Sequence, residues 1–344
     1  MSNKDGKKKP SWCRGIMVPL AIVAVLMFLA QYTSTKNIMP AAGISDSKND
    51  TDQKCEAMLD RFDAMFDERR RVRQQHVSES IALANERWFF DAYEPEATCF
   101  TDERFGYSRY NTQGKILLDK NLPQAYKDAT RYNAFGDGPK FVCGLDVIGK
   151  KDPEDGDKEP CLVYSVGSNN DVAFEMTVDK FLGCETHTFD PTISNFVGGD
   201  YATWHPWGLG VDGAKARHES FEWEGKSFDT IIEALGHQNR TIDILKIDCE
   251  GCEWSTMPPL FESIAAGTIK VHQIQVEMHI AGMDTSDPRN LSLRNIFFQK
   301  LDKAKMRIFH KERNHWGCMG YKCLEYAFVS EEFLRIANKA AACY

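Results

Sequence analysis

The sequence predicts an α/β domain built on a mostly parallel, doubly wound sheet, and three observations predict it. From Pro160 onward, short runs rich in β-branched and aromatic residues alternate with stretches of helical period, as βαβ units do. The first run, CLVYSV, passes straight into a glycine turn, Gly167-Ser168-Asn169-Asn170-Asp171, and then a helical stretch. The third run delivers several carboxylates at its carboxyl end, where such sheets hold their ligands.

The chain has 344 residues, room for one large α/β domain with accessory segments. Its net charge of -8 argues against a nucleic-acid partner, whose phosphates draw on clustered Lys and Arg. One basic cluster, Lys4, Lys7, Lys8, Lys9 and Arg14, directly precedes the apolar run GIMVPLAIVAVLMFLA. With Gln31, Tyr32 and Thr33 as an interfacial edge, this predicts a single transmembrane helix at 15–33, a cytosolic tail at 1–14 and a lumenal remainder. A cleaved signal peptide is the competing reading, disfavoured because Phe28-Leu29-Ala30 is a poor cleavage site.

A stem is expected over 34–92. Its first part is small and polar to about residue 51; then Met58, Leu59, Phe62, Met65 and Phe66 recur at helical spacing, which predicts an amphipathic helix. The basic run Arg69 to Arg73 reads as a solvated face of that helix. Residues 93–159 read as an irregular lead-in, a cap over the following domain, ending in the polar loop KKDPEDGDKE. Within the domain at 160–344, strands are expected at 161–166, 185–189, 242–247, 271–277, 306–310 and 325–329, and helices at 171–181, 227–235 and 291–304.

Two features suit a lumenal address. Sequons begin at Asn49, Asn239 and Asn290. Of eleven cysteines, Cys13 precedes the expected anchor and an even number follows it, as an oxidising compartment favours.

The chemistry gathers at three strand ends. A glycine after the first strand lets the backbone turn tightly beside a nucleotide-like ligand. The single-glycine turn lacks the fingerprint of an NAD-type oxidoreductase, which disfavours that class. Asp190, closing the second strand, can accept hydrogen bonds from both hydroxyls of a ribose. Asp248, Glu250 and Glu253 crowd the end of DILKI, a repulsion that folding alone does not require. The next strand ends in Gln275-Val276-Glu277-Met278-His279, adding a carboxylate and an imidazole suited to acid–base work.

The succession VYSVGSNND, THTFDPT, DILKIDCEGCEW and QVEMH resembles the FkbM-type methyltransferases, and more closely their animal methyltransferase-like protein 24 group, over about 94–329. The resemblance implies a Rossmann-like class I methyltransferase fold with a seven-stranded sheet, binding S-adenosyl-L-methionine. On matching positions, Val166, Gly167, Ser168 and Asn169 would form the cofactor loop and Asp190 would hold the ribose. Trp207, Gly208 and Leu209 would frame the adenine. Lys246, Asp248 and Glu250 would lie at the methyl-transfer site, with Glu277 and His279 beside it. Ser-Asn-Asn after Gly167 departs from the commoner FkbM pattern. For O-methylation the base would be His279 or Asp248, with Glu250 a further candidate.

No metal is assigned, although a paired carboxylate set is able to hold a divalent cation that orients a diol. Cys249-x-x-Cys252 admits a redox reading, or half a zinc site completed by Cys318 and Cys323. Disulfides from these cysteines to other parts of the domain are expected instead, with Cys99–Cys143 and Cys318–Cys323 as candidate pairs. By analogy, Asn314 faces the acceptor side. The expectation is a type II, Golgi or secretory-pathway, adenosylmethionine-dependent O-methyltransferase acting on a glycan or small-molecule acceptor. A catalytically silent binding module that kept the fold is the alternative class.

Overall fold

The computed structural model describes residues 48–79, 93–106, 140–148, 160–218, 220–280, 288–313 and 322–343. The chain divides into two units, 1–48 and 49–344, and all described residues but the first belong to the second. The expected tail and the anchor at 15–33 lie outside the described residues. No helix among the described residues is long and apolar enough to cross a membrane.

Helix α1 (Lys48–Glu79) lies where an amphipathic helix is expected; Leu59 of the expected apolar face is buried, whereas Met65 is exposed. It is fastened rather than free: Cys55 is disulfide-bonded to Cys343, and Arg335 pairs with Glu56, Asp60 and Asp63. Within the basic run, Arg71 makes an exposed pair with Glu68, whereas Arg70 reaches Glu331. In the lead-in, β1 (Glu103–Phe105) and β2 (Lys140–Val142) pair antiparallel, stapled nearby by the expected Cys99–Cys143 bridge.

The domain then runs β3 (Leu162–Val166), α2 (Ala173–Leu182), β4 (Glu185–Phe189), β5 (Thr203–His205), β6 (Gly208–Leu209), β7 (Lys215–His218), β8 (Phe221–Lys226), α3 (Phe228–Leu235), β9 (Thr241–Ile247), α4 (Glu253–Ala266), β10 (Lys270–His279), α5 (Pro288–Lys303), β11 (Met306–Arg313), β12 (Cys323–Ser330) and α6 (Glu331–Cys343). Seven strands form one sheet in the order β11-β12-β10-β9-β3-β4-β5. The five from β10 to β5 run parallel, and β12 is antiparallel to both β10 and β11.

Alternation along the strands builds two apolar layers. Tyr164, Leu245 and Val276 face a core shared with Ile231 of α3, Phe261 of α4 and Phe297 of α5. Val163, Ile244 and Val329 face the other core, with Phe174 of α2, Phe333 of α6 and Val142 of β2. Covered on both sides, the strands read as near-continuous apolar runs, which is why the sequence located them within a few residues.

Other elements escaped that reading. Helix α4 carries Pro258 and Pro259 in its interior, which removes amide donors; burial of Met257, Leu260 and Phe261 outweighs the loss. Strand β5 is only three residues long, and β6, β8 and β7 form a separate small sheet rather than loop. Cys161 is bridged to Cys184 at the starts of the neighbouring strands β3 and β4.

The topology selects the site. From β3 the chain winds outward through β4 to β5, then returns to lay β9 on the opposite side of β3. The order reverses between β3 and β9, and a doubly wound sheet binds ligands in the crevice at the carboxyl ends of such a pair. Gly167 and Asp248 follow those two ends directly.

Candidate active site

Gly167 has φ of 72°, and a Cβ there would lie 1.6 Å from the Asp248 carbonyl oxygen. Only glycine permits both the left-handed turn and the approach of the two strand ends. The turn is pinned from three sides: Gly167 N donates to Phe189 O at 2.9 Å, Asp248 N to Val166 O at 3.0 Å, and Lys246 Nζ to Gly167 O at 2.9 Å. Lys246 is therefore placed beneath the turn, 5% exposed, bracing it rather than presenting its amine at the mouth. Asn169 and Asn170 continue in left-handed conformation, which Asn tolerates better than most residues. Ser168 is buried, with a hydroxyl that has no hydrogen-bond partner among the described residues.

Asp190 joins this turn directly. Its Oδ2 accepts from Asn169 N at 2.8 Å, and its Oδ1 from Thr192 N and Oγ1 at 2.9 and 2.6 Å. A carboxylate has about four acceptor positions, so these contacts leave roughly one for a ligand. Trp207 is half-buried between His205, 4.6 Å away ring to ring, and the Lys226 ammonium, 5.2 Å from its ring. Gly208 and Leu209 sit behind it. A Cβ on Gly208 would strike the Trp223 indole, and Leu209 is part of the core.

Across the switch point stands a charged cluster. Antiparallel register sets Glu277 of β10 directly opposite Glu325 of β12, and two like charges so placed repel. Lys140, from β2, resolves this: its Nζ lies 2.7 and 2.6 Å from the two Glu325 oxygens, 3.8 Å from Glu277 and 4.0 Å from Asp248. Its side chain is 1% exposed. His279 Nδ1 meets the fully buried Glu253 at 3.0 Å, while Nε2 faces Glu250 at 3.4 Å and Asp248 and Glu277 at 3.9 Å. Asp248 and Glu250 are the members that reach solvent.

Their protonation follows from these neighbours. Burial, then repulsion from Glu325 and Asp248, pushes the Glu277 carboxyl up to about 9, so it is neutral at pH 7. Burial opposes charge on His279, but the hydrogen bond and charge of Glu253, then Glu277 and Asp248, outweigh it and raise the imidazole to about 9. Burial likewise opposes charge on Lys140 and Asp248. The Glu325 carboxylate, then that of Asp248, nonetheless holds Lys140 protonated, and Lys140, Lys246 and His279 hold Asp248 below the usual carboxylate range. Asp248 is thus an ionised carboxylate backed by cations at the mouth of the crevice.

Cys249 and Cys252 are bridged to each other, not to other parts of the domain, and this also overturns a zinc site built on them. The spacing allows it because Glu250 and Gly251, at φ of 54° and 109°, fold the chain back within four residues. Cys323 is disulfide-bonded as well; the expected partner Cys318, and Asn314, lie outside the described residues. Among the described residues, Asp248, Glu250 and His279 bring three possible ligand atoms within 4.8 Å of one another, and so do Glu185, His187 and His237.

The structure therefore gathers Gly167, Ser168, Asn169 and Asp190 on one side of the switch point and Asp248, Glu250, Glu277 and His279 on the other. Sequence reasoning missed Lys140 and Glu325. A glutamate inside an otherwise apolar strand is a signal for Glu325; Lys140, in an irregular lead-in, offers none.

With this geometry in view, the family model and the curated relatives point to one class. A family model described as a methyltransferase domain matches residues 111–330, more than half of the chain, and so includes part of the lead-in. The probable methyltransferase-like protein 24 of Rattus norvegicus is 27% identical over 159 residues, covering 44% of this chain and 42% of the relative. That of Homo sapiens is 24% identical over 167 residues, covering 45% and 43%. The matched part of the chain thus spans less than half the length of these curated relatives. Among solved structures, the Methanococcus jannaschii fibrillarin pre-rRNA processing protein is similar at 10% identity and TM-score 0.31, covering 51% of this chain and 68% of its own. An O-methyltransferase family 2 protein of Planctomyces limnophilus gives 10% and 0.28, covering 54% and 56%. At those scores neither adds to the fold already described.

Proposed function

Because the chain belongs to the methyltransferase-domain family, we propose that it is an S-adenosylmethionine-dependent O-methyltransferase whose acceptor is a hydroxyl of a glycan or other secreted molecule. The observation that carries this reading is the switch point between β3 and β9, where the Asp190-fastened turn and the solvent-reaching Asp248 stand at adjacent strand ends.

The residues present fit the methyl donor. Asp190 keeps an acceptor position for a ribose hydroxyl, the Ser168 hydroxyl, without a partner among the described residues, lies in the turn, and the partly buried Trp207 ring beside Phe189 and His205 is an aromatic surface of the kind an adenine packs on. When bound, the donor supplies a methyl group on a sulfonium, already an excellent leaving group. The protein then has to orient the acceptor oxygen and take its proton. Asp248 is the group available for that, since His279 is charged and Glu277 neutral at pH 7. The His279 imidazolium keeps Asp248 and Glu250 together, and Glu253 fixes its ring from behind.

A secretory-pathway setting with an anchor at 15–33 belongs to the same proposal. It is supported by the basic flank of the apolar run and by four disulfides among the described residues. The exposed Asn239, in a sequon, would then be a glycosylation site.

The test is to incubate the full-length chain, in detergent, with methyl-labelled adenosylmethionine and a panel of glycans and small hydroxyl compounds, followed by mass analysis. Label on one panel member, lost in Asp248→Asn, is the expected result. Donor binding with no transfer to any acceptor would reduce the protein to a binding module, and absence of binding would end the reading.

A further inference from the structure

A second constellation lies at the other end of β4, outside the crevice and unused by the proposed reaction. Glu185, His187 and Phe189 alternate onto one face of β4. His187 is 7% exposed and His237, in the turn between α3 and β9, is 8% exposed. Both turn Nε2 toward the same oxygen, Glu185 Oε1, at 2.9 and 3.4 Å. We propose that Glu185, His187 and His237 form a binding site for one divalent transition-metal ion of the zinc class.

The three ligand atoms lie within 4.8 Å of one another. Ligands about 2.0–2.2 Å from a tetrahedral ion stand roughly 3.3–3.6 Å apart, so the side chains need only small movements to enclose one. Two imidazoles and one carboxylate select zinc, cobalt or nickel over magnesium or calcium, which prefer all-oxygen sites. Glu185, a third exposed, leaves a side open for entry and for water as a further ligand.

Each ligand is also held from behind, as metal ligands characteristically are. Coordination through Nε2 leaves the proton of each ring on Nδ1. His187 Nδ1 lies 2.9 Å from His205 Nε2, and His237 Nδ1 lies 2.8 Å from the Tyr164 hydroxyl, so both protons find acceptors. Arg240 fixes the remaining carboxylate oxygen, donating to Glu185 Oε2 at 2.5 Å and to Pro160 O at 2.8 Å. Without an ion, Nε2 of each ring donates to Glu185 Oε1; with one, that proton moves to Nδ1, where His205 Nε2 and the Tyr164 hydroxyl accept it, and β4 is clamped to the turn before β9.

This site stands apart from methyl transfer, so its test does not use activity. The full-length chain, stripped by a chelator and dialysed, is titrated with Co2+ while visible absorption is recorded, and with Zn2+ while thermal unfolding is followed. The expected result is one Co2+ per chain with ligand-field bands, and a higher Tm with Zn2+. Glu185→Gln and His237→Gln should each weaken uptake at least tenfold, whereas Glu250→Gln, in the crevice, should leave it unchanged. If His237→Gln fails to fold by circular dichroism, Glu185→Gln decides alone. Absence of uptake, uptake that survives Glu185→Gln, or uptake lost only in Glu250→Gln would each overturn the proposal.

Discussion

At Gly167 a methyl group separates function from failure. Gly167→Ala would set a Cβ 1.6 Å from Asp248 O in a left-handed turn, so the strand ends must part. Strain of about 1–3 kcal/mol and at least a tenfold loss of donor affinity are expected, read by denaturant unfolding and calorimetric titration. Asp248→Asn keeps the shape and removes the charge. Methyl transfer should fall by about 10²–10⁴ while donor binding changes little, which a split between kcat and donor Kd reveals. Lys140→Met leaves the buried Glu325 without its cation and takes away one of the three that face Asp248. Breaking such a pair costs about 3–5 kcal/mol, and a chevron or melt of the variant checks it. Lys140 is a positioning residue: it arrives from the lead-in, stands 4.0 Å behind the proposed base Asp248, and lets three carboxyl groups share one site.

Two disulfides illustrate how elements divide the work. Cys55–Cys343 ties α1 to α6 across a separation of 288 residues. Its removal as a double serine variant should cost about 2–5 kcal/mol, because the unfolded chain regains a long loop. Cys249–Cys252 closes only three residues, so its removal recovers little loop entropy. The consequence there is local. The bridge holds Glu250 and Gly251 in left-handed conformation between Asp248 and Glu253, and Glu253 accepts from Cys249 N at 3.2 Å while meeting His279. Cys249→Ser with Cys252→Ser should therefore leave Tm within a few degrees and lower methyl transfer, the reverse of the first pair. Equal effects in both assays for both variants would contradict this division.

Across the whole molecule, the buried cluster makes stability depend on pH. Glu277 is raised from 4.5 to about 9 and His279 from 6.5 to about 9, so the folded state holds more protons than the unfolded one between those values. Stability consequently falls as pH rises, most steeply from 6.5 to 9 where the two windows overlap. Melts across that range should show the fall, and Glu277→Gln should make it shallower without abolishing it. The sequence by itself determined the sheet: the apolar runs located six of its seven strands, the Gly167 turn and the acids at Asp190 and Asp248, because fully buried parallel strands and tight turns demand those residue types wherever they occur. Only the tertiary structure decided that Cys249 pairs with Cys252, that Lys246 braces the turn, and that Lys140 and Glu325 belong to the site. Those outcomes turn on which side chains meet across strands distant in sequence, and a residue's own neighbours in the chain carry no record of that meeting.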